Sequence, residues 1–472
     1  MARKKKQHGI IEGVHIIDIA DDGMAVGKHE DMIIFVKRAV PGDIANVQIT
    51  RSRRNYKEGY TVSLQQESEH REKAFCKHFG VCGGCKWQHL KYDIQLEFKQ
   101  KQIENQLTRI GGLNLPNCDA IIPSEKIIEY RNKLEYTFSA RRWFEEGEPM
   151  YDENSPEAKA LGFHVPAMFD KVVNIEKCYL QDDLGNNIRN FIKDFAIEKN
   201  FSFYNIKTQV GYLRNLILRN NLNGKFMLIL SVAEDRLEET AEILEEVSKR
   251  FPEIKSLYIA YNPSKNDSLN NAKMIHFKGD KYLIETMEDL KFAISPKSFF
   301  QTNSLQAYEL YKKVREFANP KPSDIIYDLY TGTGTIALFV SALCKKVIGV
   351  EFVKEAIKDA KYNTKLNKKD NLEFFVGDAA KIFTKEFTAK HGKPDIVICD
   401  PPRAGMHPDV VNTLLELKPQ KIVYVSCNAA TQARDMKTLQ EAYNIVKLQA
   451  FDMFPHTQHI ENVALLELNA EK

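Results

Sequence analysis

The chain has 472 residues, enough for two to four domains at about 100–200 residues each. It is 43% hydrophobic and 28% charged, which excludes a disordered tail protein and a small cross-linked scaffold. The 67 Lys and Arg against 64 Asp and Glu leave a net charge of +3, so any surface for an anionic partner must be local.

The longest mostly apolar run, Ile336–Cys344, is too short to cross a bilayer, which takes about 20 residues. The basic start, Met1-Ala-Arg-Lys-Lys-Lys, is followed by Gln7, His8 and Gly9 instead of an apolar core, so it does not read as a signal peptide. A cytosolic location without a membrane is expected. Eight cysteines, three of them within Cys76–Cys85, read as metal ligands and not as a disulfide framework.

In chain order, residues 9–67 read as a small β-barrel. The short runs Ile10-Ile11, Ile33–Val36, Ala45–Thr50 and Tyr60–Leu64 are separated by turn signals at Asp22-Gly23 and Pro41-Gly42. Arg51, Arg53, Arg54 and Lys57 cluster with no acid among them, beside Tyr56. This is either a solvated hairpin tip or a phosphate-contacting edge of an oligonucleotide-binding barrel. The cysteine segment follows, Cys76-Lys-His-Phe-Gly-Val-Cys82-Gly-Gly-Cys85-Lys-Trp-Gln-His89, and then a polar helical stretch from Tyr92 to Ile110 that stops at Gly111-Gly112. From about 120 to 290 the pattern is mixed, with strands expected at Leu134–Ser139, Phe226–Val232 and Ser256–Tyr261 and a helix at Leu237–Arg250.

The last 180 residues alternate strongly. Strands are expected at Ile325–Leu329, Lys346–Val350, Asn371–Val376, Asp395–Cys399 and Lys421–Ser426, with helices between them at Ile336–Leu343, Val353–Leu366 and Asp409–Leu417 and another at Thr431–Ala442. That alternation predicts a parallel, doubly wound α/β sheet. Ile445–Phe451 and Val463–Leu468 would complete one edge.

Ligands of such sheets sit beyond the strand carboxyl ends, and four strand ends carry chemistry. The first leads into Asp328-Leu-Tyr330-Thr-Gly332-Thr-Gly334-Thr-Ile-Ala337, where glycines let the backbone approach a ligand. Glu351 ends the second strand, placed to accept from ribose hydroxyls, and Asp378 follows the third, within reach of an adenine amino group. By themselves these also fit a dinucleotide fingerprint and a nicotinamide dehydrogenase. The fourth strand runs into Asp400-Pro-Pro-Arg403-Ala-Gly405, a stiff loop facing a planar substrate. The fifth runs into Ser426-Cys427-Asn428, where a helix dipole is expected to lower the thiol pKa. Glu461, entering the last strand, is either a surface carboxylate or a general base.

Together these stretches resemble the RNA uracil-C5 methyltransferases of the TrmA/RumA type. The resemblance covers nearly the whole chain and rests on motifs in the family's order: Phe299-Phe300-Gln301-Thr-Asn303, Asp328-Leu-Tyr330-x-Gly332-x-Gly334, Gly349-Val-Glu351, Asp400-Pro-Pro-Arg403, Ser426-Cys427-Asn428 and His459-Ile-Glu461. It implies a TRAM/OB-like RNA-binding barrel (1–68) and a central α+β domain with a cysteine cluster (69–290). The remainder (291–472) would be a Rossmann-like S-adenosylmethionine-dependent methyltransferase domain.

By the same resemblance, Cys427 is the nucleophile and Glu461 the base. Gln301, Tyr330, Glu351 and Asp400 line the S-adenosylmethionine and active-site region, with Asp378 as an addition. Phe299 and Phe300 either stack near an extruded base or pack in the core. Cys76, Cys82, Cys85 and Cys178 map onto ligands of a [4Fe-4S] cluster, although the same four thiols also suit structural zinc. Thr331 stands where relatives often carry Cys, and Ala429 where Pro commonly follows. The barrel with the cluster favours 23S ribosomal RNA over transfer RNA as substrate. An amino methyltransferase and a non-catalytic RNA-binding factor remain rival readings, and a monomer is the default.

Overall fold

The computed structural model describes residues 9–469 apart from positions 146, 150, 153, 154 and 267. The chain divides into two compact units: one runs to Gln102 and includes Phe454–His459, and the other spans Ile103–Met453 and resumes at Ile460.

In the first unit, β1 (Ile10–Ile19), β2 (Ala25–His29), β3 (Met32–Lys37), β4 (Ile44–Ser52) and β5 (Tyr56–Gln66) close a barrel in the order β1-β2-β3-β5-β4. Ala45, Val47 and Ile49 alternate inward along β4 and meet Val14, Ile16, Ile34 and Val36, the period-two pattern of a half-buried strand. Beside the β4–β5 turn, Arg51 is paired with Glu58 (3.1 Å). Tyr56 packs edge-on against Phe35 (centroids 5.5 Å apart), which leaves Arg53 and Arg54 exposed at the tip.

The cysteine segment is an irregular loop ahead of α1 (Tyr92–Arg109). Its backbone is tied internally, Cys82 N–H donating to His78 O (2.8 Å) and Cys76 N–H to Gln88 Oε1 (3.2 Å). Trp87 is buried and donates from its indole to Gly23 O (3.1 Å). The late segment Phe454–His459 is held here as well. His456 O accepts from the N–H groups of Lys86 and Trp87 (2.9 and 3.0 Å), His456 N–H donates to Gln95 Oε1 (2.9 Å), and buried Lys99 donates to Phe454 O (3.1 Å).

The second unit contains a seven-stranded mixed sheet of β6 (Lys133–Ser139), β7 (Ala160–Val165), β8 (Met168–Asn174), β9 (Leu213–Asn220), β10 (Phe226–Val232), β11 (Ile254–Tyr261) and β12 (Lys273–Gly279), ordered β12-β11-β10-β9-β6-β7-β8. Helices α2 (Asp183–Glu198) and α3 (Leu237–Arg250) accompany it. A hairpin of β13 (Leu283–Met287) and β14 (Leu290–Ile294) then leads to α4 (Ser304–Ala318).

The second sheet of this unit is built from β15 (Ile325–Leu329), β16 (Lys346–Glu351), β17 (Leu372–Val376), β18 (Ile396–Cys399), β19 (Lys421–Ser426), β20 (Tyr443–Phe451) and β21 (Glu461–Leu468). Helices α5 (Thr335–Ser341), α6 (Lys354–Leu366), α7 (Ala379–Ile382), α8 (Lys385–His391), α9 (Pro408–Leu417) and α10 (Ala429–Leu439) connect the strands. The order is β17-β16-β15-β18-β19-β21-β20. The first five strands are parallel, as expected, and β21 inserts antiparallel between β19 and β20. That insertion moves the last strand from an edge to a position beside the strand that carries Cys427. Among the described residues, no helix is long and apolar enough to cross a membrane.

Gly349 in β16 shows how tightly the first strands pack. A Cβ there would lie 2.4 Å from the Phe374 ring and 2.9 Å from Thr331 Cγ2, and Phe374 is buried. Gly349→Ala is expected to lower stability by about 1–3 kcal/mol through overpacking, read as a drop in the melting temperature. An unchanged melting temperature would show that the ring yields freely.

Candidate active site

Strand register alone gathers the residues. Leu329 pairs with Val350 on one side and with Cys399 on the other, so Tyr330, Glu351 and Asp400 each lie one residue beyond the same level of the sheet. Asp400 N–H donates to Leu329 O (3.3 Å), which continues that level. Across the next pair, Ser426 lies opposite Asn462. Antiparallel pairing therefore carries Cys427 to the position facing Glu461.

The Cys427 turn is cross-braced. Ser426 Oγ accepts from Asn428 N–H (3.1 Å) and donates to Asn428 O (3.0 Å). Asn428 caps α10 by accepting from Ala430 N–H (3.1 Å), while its Nδ2 donates to Arg403 O (2.9 Å). Thr431 Oγ donates to the same Arg403 carbonyl (3.2 Å). The cap thus locks the Asp400-Pro-Pro-Arg403 loop onto the cysteine turn. Gln432, wholly buried, accepts from Asn462 Nδ2 (2.8 Å) and ties α10 to β21 next to Glu461.

Electrostatics overturn one expectation. Burial pushes the Cys427 thiol up to about 11, the carboxylates of Glu461 and Asp400 add to the rise, and Arg403 opposes it. The helix dipole does not win, because burial of the thiol is the largest effect and two neighbouring acids add to it. Burial raises Glu461 well above the usual carboxylate range, with Asp400 adding and Arg403 opposing. Asp400 is itself pushed to about 7 by burial. A carboxyl held back from ionising is a strong base once ionised. Arg403, which the sequence offered only as the end of a motif, is the cation that bears on both Cys427 and Glu461.

On the other side of the crevice, Glu351 accepts from Gly332 N–H (3.2 Å) and Val353 N–H (2.8 Å), bracing the glycine loop. Tyr330 adopts φ +65°, a left-handed backbone that costs a bulky residue about 1–3 kcal/mol and persists where the surroundings dictate it. Gly332 and Gly334 are also at positive φ, and space is open where a Cβ on Gly332 would project. Asp328 is buried; its Oδ2 accepts from Thr331 Oγ (2.5 Å) and Ala337 N–H (3.1 Å). Thr331 therefore contributes a hydroxyl donor. Asp328 Oδ1 is buried without a hydrogen-bond partner, and burial first, then Asp400 and Glu351, push this carboxyl up to about 7. An orphaned buried acceptor beside an open glycine turn fits a polar nucleoside ligand. Asp378 caps α7 with one oxygen (3.0 Å to Ala380 N–H).

Gln301 lies buried just ahead of α4, whereas the two preceding phenylalanines separate: Phe299 is 68% exposed and Phe300 is in the core at 4%. Of the proposed metal ligands, Cys76, Cys82 and Cys85 lie in the first unit and Cys178 in the second. None is in a disulfide, and Gly84 N–H donates to Cys82 Sγ (3.4 Å). Thiols braced by backbone N–H groups have the donor chemistry for iron–sulfur or zinc. Among the described residues, however, no three His, Cys, Asp or Glu are arranged to hold a metal ion, so no step below passes through one.

Comparison with known proteins agrees with this layout. The family described as tRNA (uracil-5-)-methyltransferase matches residues 270–469, and the TRAM domain matches residues 5–62. A protein of Bacteroides thetaiotaomicron described as an uncharacterized RNA methyltransferase is 49% identical over 95% of this chain and 100% of its own. One of Porphyromonas gingivalis with the same description is 44% identical over 97% of this chain and 100% of its own. The crystal structure of Pyrococcus abyssi tRNA (uracil-54, C5)-methyltransferase in complex with S-adenosyl-L-homocysteine superposes with a TM-score of 0.75 at 31% identity, covering 97% of this chain and 100% of that one. The chain belongs to the S-adenosylmethionine-dependent RNA uracil-C5 methyltransferase family.

The charges around Cys427 set the direction of two substitutions. Glu461→Gln is expected to lower the thiol pKa and Arg403→Gln to raise it, each read from the pH dependence of the alkylation rate of Cys427 by iodoacetamide. Identical profiles in all three proteins would mean that burial alone controls the thiol.

Proposed function

We propose that this protein methylates C5 of a uridine in 23S ribosomal RNA, with Cys427 as nucleophile and Glu461 as base. The observation that carries the reading is the pairing of a half-buried cysteine and a buried carboxylate across β19 and β21, beside Asp400. Uracil C5 is too weak a nucleophile to take a methyl group unaided. Addition of the Cys427 thiolate to C6 forms an S–C6 bond and pushes the C5–C6 π electrons toward O4, leaving an enolate nucleophilic at C5. S-adenosylmethionine supplies the electrophilic methyl group, leaving as S-adenosylhomocysteine. Glu461 then removes the C5 proton, the C5=C6 bond reforms, and the S–C6 bond breaks to release Cys427 as thiolate.

Gln301, Tyr330, Glu351, Asp378 and Asp400 are the proposed donor-side and active-site contacts, with Asp328 added for its unpartnered oxygen. The target base has to leave its stack to meet Cys427. Arg53 and Arg54 at the barrel tip would hold RNA backbone. The functional division proposed is barrel 1–68, central domain 69–290 and catalytic domain 291–472, in a cytosolic monomer.

The proposal of 23S RNA rests on the TRAM domain combined with the cysteine set. Transfer RNA is the second reading, favoured by the Pyrococcus abyssi enzyme, named for a tRNA uracil and matched over its whole length. Methyl transfer from labelled S-adenosylmethionine into total RNA of cells lacking the enzyme separates the two. Labelled 5-methyluridine in large-subunit RNA supports the proposal, label in transfer RNA supports the second reading, and no label removes both. For Cys76, Cys82, Cys85 and Cys178 we propose a [4Fe-4S] cluster. Protein isolated without oxygen is expected to contain iron and acid-labile sulfide and to absorb visible light, whereas zinc alone would overturn that assignment.

The acids near the donor also set a pH dependence. Asp328 and Asp400 are neutral below their pKa of about 7 and anionic above it, and the sulfonium is a cation. Affinity for S-adenosylmethionine is expected to rise from about pH 6 to pH 8, more steeply than affinity for uncharged-sulfur S-adenosylhomocysteine. Parallel calorimetric profiles for the two ligands would contradict this.

A further inference from the structure

The segment that presents Gln301 is held in place by a residue from a different sheet. Asn132 is buried at the entry to β6. Its backbone N–H donates to Thr302 O (2.7 Å), and its side-chain Nδ2 donates to both Gln301 O (2.9 Å) and Ser304 Oγ (2.8 Å). Ser304 in turn donates to Glu285 Oε2 (2.7 Å), so its hydroxyl hydrogen is committed and it must accept from Asn132. Glu285 Oε1 accepts from Leu222 N–H (3.3 Å) and Thr286 N–H (3.2 Å). The chain Glu285, Ser304, Asn132, Gln301 is therefore polarised one way and fixes the Asn132 amide orientation.

Both carbonyls that follow the Gln301 and Thr302 α-carbons are thus bound by one residue. The near side of the segment is pinned separately: Arg219 donates to Ser298 O (2.9 Å), and Ser295 and Ser298 both donate to Asp359 Oδ2 on α6 (2.7 and 2.5 Å). Asn303 secures the far side, donating to Ser124 Oγ and to Met453 O (both 3.1 Å) while capping α4. Of these anchors, Asn132 is the one bonded to the peptide of Gln301 itself.

We propose that Asn132 is a positioning residue for catalysis, fixing the Gln301 peptide from β6 so that the Gln301 side chain keeps its place in the active site. The proposal rests on the reading that Gln301 lines that site. Losing the clamp lets the segment shift without emptying the site, and displacements of about 1 Å at a reacting constellation cost on the order of 100-fold in rate. A residue acting only through Gln301 has nothing left to act on once that side chain is gone, so the two substitutions are non-additive.

The test is a double-mutant cycle on the full-length protein. Asn132→Ala, Asn132→Asp, Gln301→Ala and each combination are compared by kcat and KM for RNA, S-adenosylhomocysteine affinity and melting temperature. Asn132→Asp keeps the size and removes both side-chain donations, which serves if Asn132→Ala melts too low to assay. Each Asn132 variant is expected to lower kcat/KM by roughly 10- to 100-fold, and by less than about twofold when Gln301 is already alanine. Full additivity, or an Asn132→Asp enzyme as active as the parent, would overturn the proposal while leaving the methyltransferase reading intact. If Gln301→Ala alone leaves kcat/KM unchanged, the assignment of Gln301 fails and the proposal falls with it.

Discussion

Three ionisable groups that oppose one another's ionisation share one end of the catalytic sheet. Cys427, Glu461 and Asp400 converge because β21 runs antiparallel beside β19 while β18 runs parallel on its other side. Burial raises all three; neighbouring carboxylates add to the rise at Cys427 and Glu461, and Arg403 is the cation set against those two. Both shifts at Cys427 and Glu461 run against the charged forms, toward the protonated thiol and the neutral carboxyl. A cationic ligand entering the site relieves the repulsion and favours the ionised forms that chemistry needs.

The surrounding structure keeps these groups from relaxing apart. Ser426 and Asn428 brace the Cys427 turn, Asn428 and Thr431 hold Arg403 by its carbonyl, and Asn462 with Gln432 fixes β21 one residue beyond Glu461. Asp435 completes the support by accepting from Met406 N–H (2.9 Å) and the Tyr424 hydroxyl (2.7 Å). Apart from the Ser426–Asn428 bond, which closes the turn on itself, these bonds tie α10 to the loop after β18, to β19 and to β21. The geometry is therefore set by rigid packing and not by a mobile loop.

How much was legible beforehand follows from where the information lies. The strands of the parallel sheet are short, mostly apolar runs with polar residues at or just beyond their ends, and β15 and β19 fall on their expected bounds. Helix α3 does so too, because its acids come early, its basic pair late, and its apolar spacing is clean. Strand β2, Ala25–His29, was missed: Ala-Val-Gly-Lys-His has little β propensity and is held by its neighbours in the barrel. Strand β9 was missed for the opposite reason, since Arg214, Asn215 and Arg219 interrupt its apolar run although they are buried. Among the candidate site residues, Cys427, Glu461, Glu351 and Asp400 stand out in the sequence as polar residues at strand ends. Arg403 was visible as a motif letter but not as a charge, and Asn132 gave no signal, because its role arises from a contact across 169 residues of sequence. The dipole argument for Cys427 failed because a local rule was applied where burial of the thiol is the largest effect, with neighbouring carboxylates adding to it.

The most direct test of the central claim is whether Cys427 becomes covalently joined to a methylated uracil that Glu461 has yet to deprotonate. Glu461→Gln protein is incubated with RNA and labelled S-adenosylmethionine and run on a denaturing gel, with Cys427→Ala alongside. The account requires a slow-migrating protein–RNA species that carries the methyl label in Glu461→Gln and is absent from Cys427→Ala. Methylated RNA released by the Cys427→Ala protein, or no adduct from a Glu461→Gln protein that binds RNA normally, would contradict it.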